Sequence, residues 1–305
     1  MVKRYRHIVL VTLSLMCLTF ASAYSTLQYE YSLDKKRCSE KELSIKIESV
    51  KESIIISQGE PHAIYSIKYN NRMQDVPKSK ISYQIIDDVG YLTIKLNEKN
   101  SNHSNDNEWE MQYSEESSYS PSVYYVFLNN SLPIKLDVGV GAGYSKIDLS
   151  GLRLKDISLM TGVSETIVMC NERNPIELKT FRINAGLSKF YAYNIGNTNF
   201  KNLYFEGSLG MYYLDLNGIL RHESSMNVDI GLGSISLVVP QETGTTVFFK
   251  KGFLNSFNYN DFYEVSDGMY INNNFEETKK RFTIKIESGL GKIKVRQAQI
   301  IQSPK

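Results

Sequence analysis

The sequence predicts an all-β fold, a β-solenoid built from stacked strand-turn-strand units, and three observations point to it. Short runs such as residues 43–47 and 282–286 alternate apolar and polar residues, so that one face of each strand is apolar. Gly and Asn cluster between these runs, where tight turns require them. A unit with a period of about 21 to 24 residues also recurs in the second half of the chain, which is typical of solenoids.

The first 23 residues have the pattern of a secretory signal peptide. A positive start (Lys3, Arg4 and Arg6) precedes an apolar run at 8–20 and an A-x-A cleavage pattern at 21–23. The apolar run is shorter than the about 20 residues that span a bilayer, and Cys17 lacks the small neighbours of a lipidation site. We therefore predict cleavage after Ala23, no transmembrane segment afterwards, and a periplasmic, cell-surface or secreted location.

The balance of charges gives no general attraction to nucleic acid. The 305 residues include 35 Lys and Arg and 33 Asp and Glu, a formal net charge of +2. Cleavage would remove three basic residues and no acidic one, which leaves 32 basic and 33 acidic residues and a net charge of −1. Nucleic-acid-binding domains usually show a marked basic excess, so we expect no nucleic acid partner.

Six copies of the repeat align on a small residue, which we call the anchor. Apolar residues stand five and three positions before each anchor and one and six positions after it, so stacking would bury four columns. The position four residues after the anchor is less strictly apolar, and we expect its depth to vary along the stack. At the anchor itself we expect a sharp turn, where a β-branched residue would be strained. The anchors are Gly141, Gly162, Gly186, Ser208, Gly231 and Gly289.

A degraded seventh copy occupies residues 45–56, with Val50 at the anchor position. Its core positions are Ile45, Ile47, Ile54 and Ile56. Because terminal repeats are usually atypical, we expect this copy to lie at the end of the stack. Further strands are predicted at residues 63–69, 81–86 and 91–96, with a hairpin turn at residues 89–90.

On this basis the chain divides into four parts. They are a signal peptide (1–23), an N-terminal β region (24–100), a polar loop or linker (101–122) and the solenoid (123–305). Aromatic residues crowd a segment that interrupts the solenoid at 244–280, so we expect this segment to pack on the stack.

Several repeats resemble those of a known family. The segments LDVGVGAGYSKIDLSGL, FRINAGLSKF, YNIGNTNFKNLYFEGSLG and VDIGLGSISLVVP are similar to repeats of the toast-rack family of adhesin-like and envelope-stress proteins. Residues 42–96 resemble the N-terminal half of the same family. The resemblance implies a β-solenoid in the cell envelope that forms surfaces for binding and assembly. Envelope-stress relatives often carry transmembrane helices, which the sequence after residue 23 does not show.

Two groups of residues could suggest a cofactor, but their context disfavours it. The glycines at 139–143 are followed by an alternating strand pattern, whereas a nucleotide-binding loop needs a helix start behind it. His62, His103 and His222 are far apart in sequence, and zinc ligands are usually closely spaced. We therefore predict no bound cofactor.

Acidic residues and cysteines in the mature chain give equally weak signals. Asp261, Glu264 and Asp267 could bind calcium, but their spacing is not that of a calcium loop, so solvated charges are the favoured interpretation. Cys38 and Cys170 could pair in an oxidising compartment, or remain two separate thiols. The sequence predicts no metal site.

Catalysis on a polysaccharide is the principal alternative function, because some enzymes of this kind use β-solenoids. Such enzymes set paired carboxylates at a fixed separation, and Asp148, Asp215 and Glu165 lie on or near strands that follow anchors. They form no stacked acidic row, and no complete catalytic constellation is visible. Exposed strand charges explain them equally well, so we predict no catalytic residue.

Tyrosines offer a second candidate surface, since the chain has 21 of them. Tyr191, Tyr193, Tyr204 and Tyr213 alternate with apolar columns and could line an exposed face for carbohydrate or protein contacts. Ordinary β-propensity is the simpler explanation. We predict an exported, non-enzymatic envelope scaffold, adhesin-like or ligand-binding module, with an envelope protein or a polysaccharide as its partner. A carbohydrate-active enzyme and an envelope-stress component acting through a membrane partner are the alternatives.

Overall fold

The computed structural model describes residues 29–71, 79–96, 123–218, 223–249 and 254–299. These residues form seventeen β-strands and one short 3-10 helix, Ile195–Thr198. The predicted all-β fold class is thereby confirmed. The proposed signal peptide and the polar loop at 101–122 lie outside the described residues.

Short strands precede and interrupt a set of long ones. The first seven are β1 (Tyr29–Lys36), β2 (Glu42–Ser49), β3 (Ser53–Gln58), β4 (Ala63–Asn71), β5 (Lys80–Ile86), β6 (Val89–Leu96) and β7 (Val123–Leu128). The long strands that follow are β8 (Pro133–Asp148), β9 (Arg153–Met169), β10 (Leu178–Tyr193), β11 (Phe200–Asp215) and β12 (Ser224–Val239). The remainder are β13 (Gly244–Phe249), β14 (Asn255–Asn260), β15 (Phe262–Ser266), β16 (Met269–Asn272) and the long β17 (Arg281–Gln297).

The six long strands carry the six repeats and lie parallel in the order β8, β9, β10, β11, β12, β17. Each strand folds back on itself at its anchor, as the rings of Phe205 and Tyr212 show. These residues are seven positions apart on β11, which would separate them by about 23 Å in an extended strand, yet their ring centroids are 5.1 Å apart. The residues before and after the anchors therefore form two half-sheets that face each other across the core. The predicted solenoid of stacked repeats is confirmed.

The order of layers in space differs from the order in the chain. β17 pairs with β12 on one side and with β13 and β14 on the other. The segment at 244–280 therefore does not separate the fifth repeat from the sixth but covers the outer side of the sixth. Its aromatic residues pack as expected, because Phe249, Phe262 and Tyr270 are buried in the core.

The degraded seventh copy was expected at the end of the stack, and this expectation is wrong. β2 and β3 pair with the two halves of β8 on one side and with β6 and β7 on the other. β6 and β7 thus form a further layer, whose halves are separated by residues 97–122. The four isoleucines of the seventh copy are buried, as predicted.

Antiparallel strands close both ends of the described stack. β5 pairs with β6, β4 with β7, and β1 with β4, whereas β16 pairs with β13 and β15 with β16. The predicted hairpin joins β5 to β6, but its turn lies at Asp87 and Asp88 rather than at residues 89–90. Both aspartates have a positive φ, of 49° and 62°, as a two-residue hairpin turn of type I′ requires.

The core columns agree with the prediction except around the anchor. The residues five and three positions before each anchor and six positions after it are all buried. The position four residues after the anchor is also buried in all six repeats, from Ser145 to Ile293, so its expected variation in depth was wrong. The column one residue after the anchor is not part of the core, and its exposure defines the surface described next.

Candidate binding surface

An exposed row of apolar side chains runs along the line where the stacked strands bend, one residue after each anchor. We call it the bend row, and its members are between 40% and 61% exposed: Val163, Leu187, Leu209, Leu232 and Leu290. Ala142 on β8 is half-buried and Lys51 stands at the same position beside β3. This column was predicted to lie in the core, but the structure shows that it lies on the surface.

The alternation of inward and outward side chains shifts by one residue at the anchor, and this shift explains why the column is exposed. Before the anchor, side chains at odd distances from it point inward, whereas after the anchor those at even distances do so. Two consecutive residues, the anchor and its successor, therefore face outward. The strand pairing shows the same interruption, since β11 and β12 pair at Gly207 with Ile230 and again at Leu209 with Leu232, without Ser208 and Gly231 between them. An irregularity of this kind shifts every following side chain by one position.

Close stacking, rather than an unusual φ, accounts for the glycine at the anchor. None of the anchor glycines has a positive φ, so the chain bends at the anchor as expected, but the strained φ expected there was wrong. A Cβ atom on Gly231 would instead stand 2.7 Å from the carbonyl oxygen of Ser208, and one on Gly141 would stand 2.7 Å from that of Val50. Positive φ values occur two residues after the anchor in three repeats, at Gly143, Gly233 and Gly291.

Four members of the bend row are paired directly in register. Leu187 pairs with Leu209, Leu209 with Leu232, and Leu232 with Leu290, and the adjacent Ser164–Ser188 pair places Val163 beside Leu187. At about 4.8 Å for each strand, the row extends about 19 Å from β9 to β17. Leu254, which is 64% exposed, precedes the Asn255–Gly291 pair and continues the row by one more layer.

Two open grooves flank the bend row. The larger groove, of about 670 Å³, lies on the anchor side and is lined by Met160, Asn184, Glu206 and the anchors of β8 to β11. The smaller groove, of about 460 Å³, lies between the bend row and Lys189 and Met211, over small residues such as Ser188 and Gly210. We call the bend row and these two grooves the bend surface.

The flanks of the bend surface differ in charge. On the anchor side, Glu206, Asp229 and Glu287 stand two residues before their anchors and are paired in register across β11, β12 and β17. On the other side, Lys189 and Lys292 stand three residues after their anchors. All five side chains are exposed, and none forms a salt bridge within the part of the chain that the structure describes.

The carboxylates considered for polysaccharide cleavage do not meet. Asp148 on β8 and Asp215 on β11 occupy the same position in their repeats, three layers apart, which is about 14 Å at the usual strand spacing. Paired glycosidase carboxylates are about 5 to 9.5 Å apart. Asp148 Oδ1 accepts a hydrogen bond from the Ser150 backbone N–H (3.0 Å) and Asp215 Oδ1 accepts one from that of Asn217 (2.9 Å), so both shape turns. Glu165 is exposed on β9 and pairs with Lys189 in the strand register.

Burial perturbs the pKa of Asp215. Desolvation raises the pKa of this carboxyl above its ordinary value, while the hydrogen bond from Asn217 and the charge of Arg296 oppose the shift. The same surroundings raise the pKa of the Tyr213 hydroxyl, chiefly through burial.

The four candidate tyrosines divide between the two half-sheets. Tyr191 pairs with Tyr213 in the strand register, and the rings of Tyr193 and Tyr213 are 5.6 Å apart on the same face. Tyr204 lies before its anchor, on the other half-sheet, where the Arg182 guanidinium stands 5.6 Å from its ring centroid. The structure therefore brings three of the four together.

The structure keeps the two cysteines apart as free thiols. Cys38 is exposed and Cys170 is buried, where desolvation raises the pKa of the Cys170 thiol to about 12. The sequence left the pairing of these cysteines open, and in the structure they form no disulfide with each other.

The other sequence candidates have structural surroundings of their own. The glycines at 139–143 lie within β8, with no helix behind them. Glu264 Oε1 accepts a hydrogen bond from the Gly268 backbone N–H at 3.1 Å. No group of three His, Cys, Asp or Glu side chains is arranged for a metal ion in the described ranges. His62 is exposed, and His103 and His222 lie outside those ranges.

The long strands form a bent parallel stack, and the bend row is exposed along the bend. These features define an all-β repeat protein that presents an extended apolar surface. The family model for the N-terminal domain of toast_rack, DUF2154, matches residues 22–191. The chain therefore belongs to this family, as the resemblance of its repeats predicted. Within the described residues, none of the helical structure is long enough to cross a membrane.

Solved structures give further similarities. A "putative cell adhesion protein" from Clostridium sporogenes is 18% identical with a TM-score of 0.44, and the match covers 89% of this chain and 100% of that one. A "putative adhesin" from Bacteroides fragilis is 11% identical with a TM-score of 0.33, over 88% of this chain and 97% of that one. A third, from Parabacteroides distasonis, is 9% identical with a TM-score of 0.29 and the same coverage. A comparison with curated proteins gave no match.

Proposed function

We propose that this protein is an exported, non-catalytic, adhesin-like module of the cell envelope that contacts its partner through the bend surface. The bend row is the observation that carries the proposal. Five apolar side chains on successive strands are each at least 40% exposed, and the largest contiguous apolar patch of a soluble protein is often an interaction site. The binding and assembly surfaces implied by the toast-rack resemblance agree with this role.

The framework beneath the row supports binding in a second way. Every member of the row lies on a long strand that is paired on both sides. The backbone that carries these side chains is therefore held in position before a partner arrives, which lowers the entropy cost of association.

A retention assay tests the proposal. The chain from residue 24 onward would be immobilised, and the binding of isolated cell-envelope fragments would be measured. We expect the Leu209→Ser/Leu232→Ser double variant to retain at least tenfold less material than the wild type, because it interrupts the row at its centre. The matched control is Tyr204→Ser, which removes an exposed side chain of similar accessibility outside the bend surface. Equal retention by the double variant and the wild type, with both folded by circular dichroism, would contradict the proposal.

A further inference from the structure

We propose that the partner of the bend surface is a second copy of this chain, related by a two-fold axis that runs along the bend row. This inference rests on the proposed function, since it names the occupant of the same surface. The charges of the two flanks are the observation that favours it. An acidic flank (Glu206, Asp229 and Glu287) and a basic flank (Lys189 and Lys292) lie on opposite sides of one apolar row.

The direction of the two-fold axis follows from this asymmetry. An axis along the row brings the acidic flank of one copy against the basic flank of the other and keeps equivalent layers at the same height. Glu287 then faces Lys292 of the second copy, because both residues lie on β17. An axis across the row would place the three carboxylates of one copy against those of the other, which is unfavourable.

The other charged residues of the two flanks are compatible with this arrangement. Asp229 and Glu206 each come within one layer of a lysine in the second copy, since β12 adjoins β17 and β11 adjoins β10. Glu165 occupies the row of the basic flank on β9, and the axis places it opposite Met160, which is uncharged. No flank residue is brought against a like charge in its own layer.

Shape complementarity supports self-association through the larger groove. The small anchor residues of β8 to β11 line it: Gly141, Gly162, Gly186 and Ser208. The axis that pairs Glu287 with Lys292 sets the row of one copy opposite these anchors in the other, and the two-fold symmetry makes the contact reciprocal, as an isologous interface requires.

The size of the surface predicts a weak dimer. The row is about 19 Å long, and the flanks are at most about 17 Å apart, which is the length of five residues in an extended strand at ~3.3 Å each. The footprint is therefore at most roughly 300–400 Å² for each copy, below the about 800 Å² that a stable complex usually buries. We expect a reversible equilibrium in which the dimer fraction rises with protein concentration.

Cysteine cross-linking tests the position and direction of the axis. In a Cys38→Ser background, Leu209→Cys and Leu232→Cys would be oxidised separately, and covalent dimers would be quantified. With the axis along the row, each position meets its own copy, so both variants should cross-link several-fold faster than a Tyr204→Cys control. An axis across the row would allow efficient self-cross-linking at one position only, and that result would overturn the proposal. Equal rates for all three variants would overturn it too.

A charge exchange tests the pairing of the flanks. Sedimentation velocity at several concentrations should show that Glu287→Lys and Lys292→Glu each reduce the dimer fraction, and that the double variant restores it. A wild-type chain that stays monomeric at every concentration would refute self-association. If the Leu209→Ser/Leu232→Ser variant still lost envelope binding in that case, the proposed function would stand and only the second copy would be rejected as the occupant.

Discussion

The carbonyl oxygen of Ser208 on β11 lies 2.7 Å from the point that a Cβ atom on Gly231 of β12 would occupy. Because that oxygen belongs to the backbone of a paired strand, the neighbour cannot move aside cheaply. We expect Gly231→Ala to lower the free energy of unfolding by about 1–3 kcal/mol, as overpacking usually does. Urea denaturation at 25 °C measures the change.

Gly139, two residues before the anchor of β8, provides the control for that substitution. A Cβ atom on Gly139 would stand 4.0 Å from its nearest neighbour, the carbonyl oxygen of Ile47, and Gly139 has no positive φ. Gly139→Ala should therefore be neutral or stabilise the fold by up to about 1 kcal/mol. Equal losses for the two alanine variants would show that stacking distance is not what selects glycine at the anchor.

The exposure of the bend row can be tested by comparing two leucines on β11. Leu209 is 42% exposed and Leu214 is fully buried. We expect Leu214→Ala to cost about 2–5 kcal/mol in the free energy of unfolding, and Leu209→Ala to cost less than about 1 kcal/mol. A large loss of stability in Leu209→Ala would show that this column belongs to the core, as the sequence predicted.

The two thiols should differ in reactivity. A chain that begins at residue 24 contains only Cys38 and Cys170. The thiolate is the reactive form, and burial raises the pKa of Cys170 to about 12. A thiol-reactive chromogenic disulfide at pH 8 should therefore label one cysteine in the folded protein and two in 6 M guanidinium chloride. No labelling before reduction would indicate a disulfide, and rapid labelling of both in the folded state would indicate that Cys170 is accessible.

The stability contributed by Asp215 should depend on pH. Because burial raises the pKa of this carboxyl in the folded state, its ionisation disfavours folding, and stability is lost as the pH rises from the unfolded pKa of about 3.9 through the raised value. Asp215→Asn keeps an acceptor for Asn217 and removes the charge. The variant should match the wild type near pH 3 and be more stable at pH 7, as measured by urea denaturation.

Asp148→Asn serves as the control, since it alters the equivalent turn contact, to Ser150, on β8. The explanation for Asp215 would be wrong if its asparagine variant were less stable than the wild type at pH 7.

The fold was predictable from the sequence wherever local periodicity determined it. The columns that contain Phe205 and Leu214 were identified because apolar residues recur at a fixed distance from a small one. The column of Leu209 was assigned to the core by the same rule. An apolar residue has the same identity whether its side chain points inward or outward, so apolar character alone could not show that the column of Leu209 lies on the surface. The sequence did contain one sign of the two consecutive outward residues, because the apolar columns change from odd to even distances across the anchor.

The order of the layers was not predictable, because long-range pairing leaves little local trace. The sequence places β17 after the segment at 244–280, and nothing in its own pattern shows that it pairs with β12. The flanking charges at Glu287 and Lys292 were likewise missed, since their significance depends on which strands are neighbours. The sequence places Asp148 and Asp215 in different repeats, but the distance between them could be obtained only from the strand pairing of the structure.

The position of β17 also has a consequence for the time course of folding. When residues 244–280 emerge from the ribosome or from a membrane channel, the strand that must lie between them and β12 has not yet emerged. β13 and β14 can join the stack only after β17 has been synthesised and has paired along most of its length. Assembly at this end is therefore delayed until synthesis has passed residue 297, and the edge of β12 remains open until then. Chains released before that point would share an unpaired edge, and we expect them to associate with one another or to be degraded.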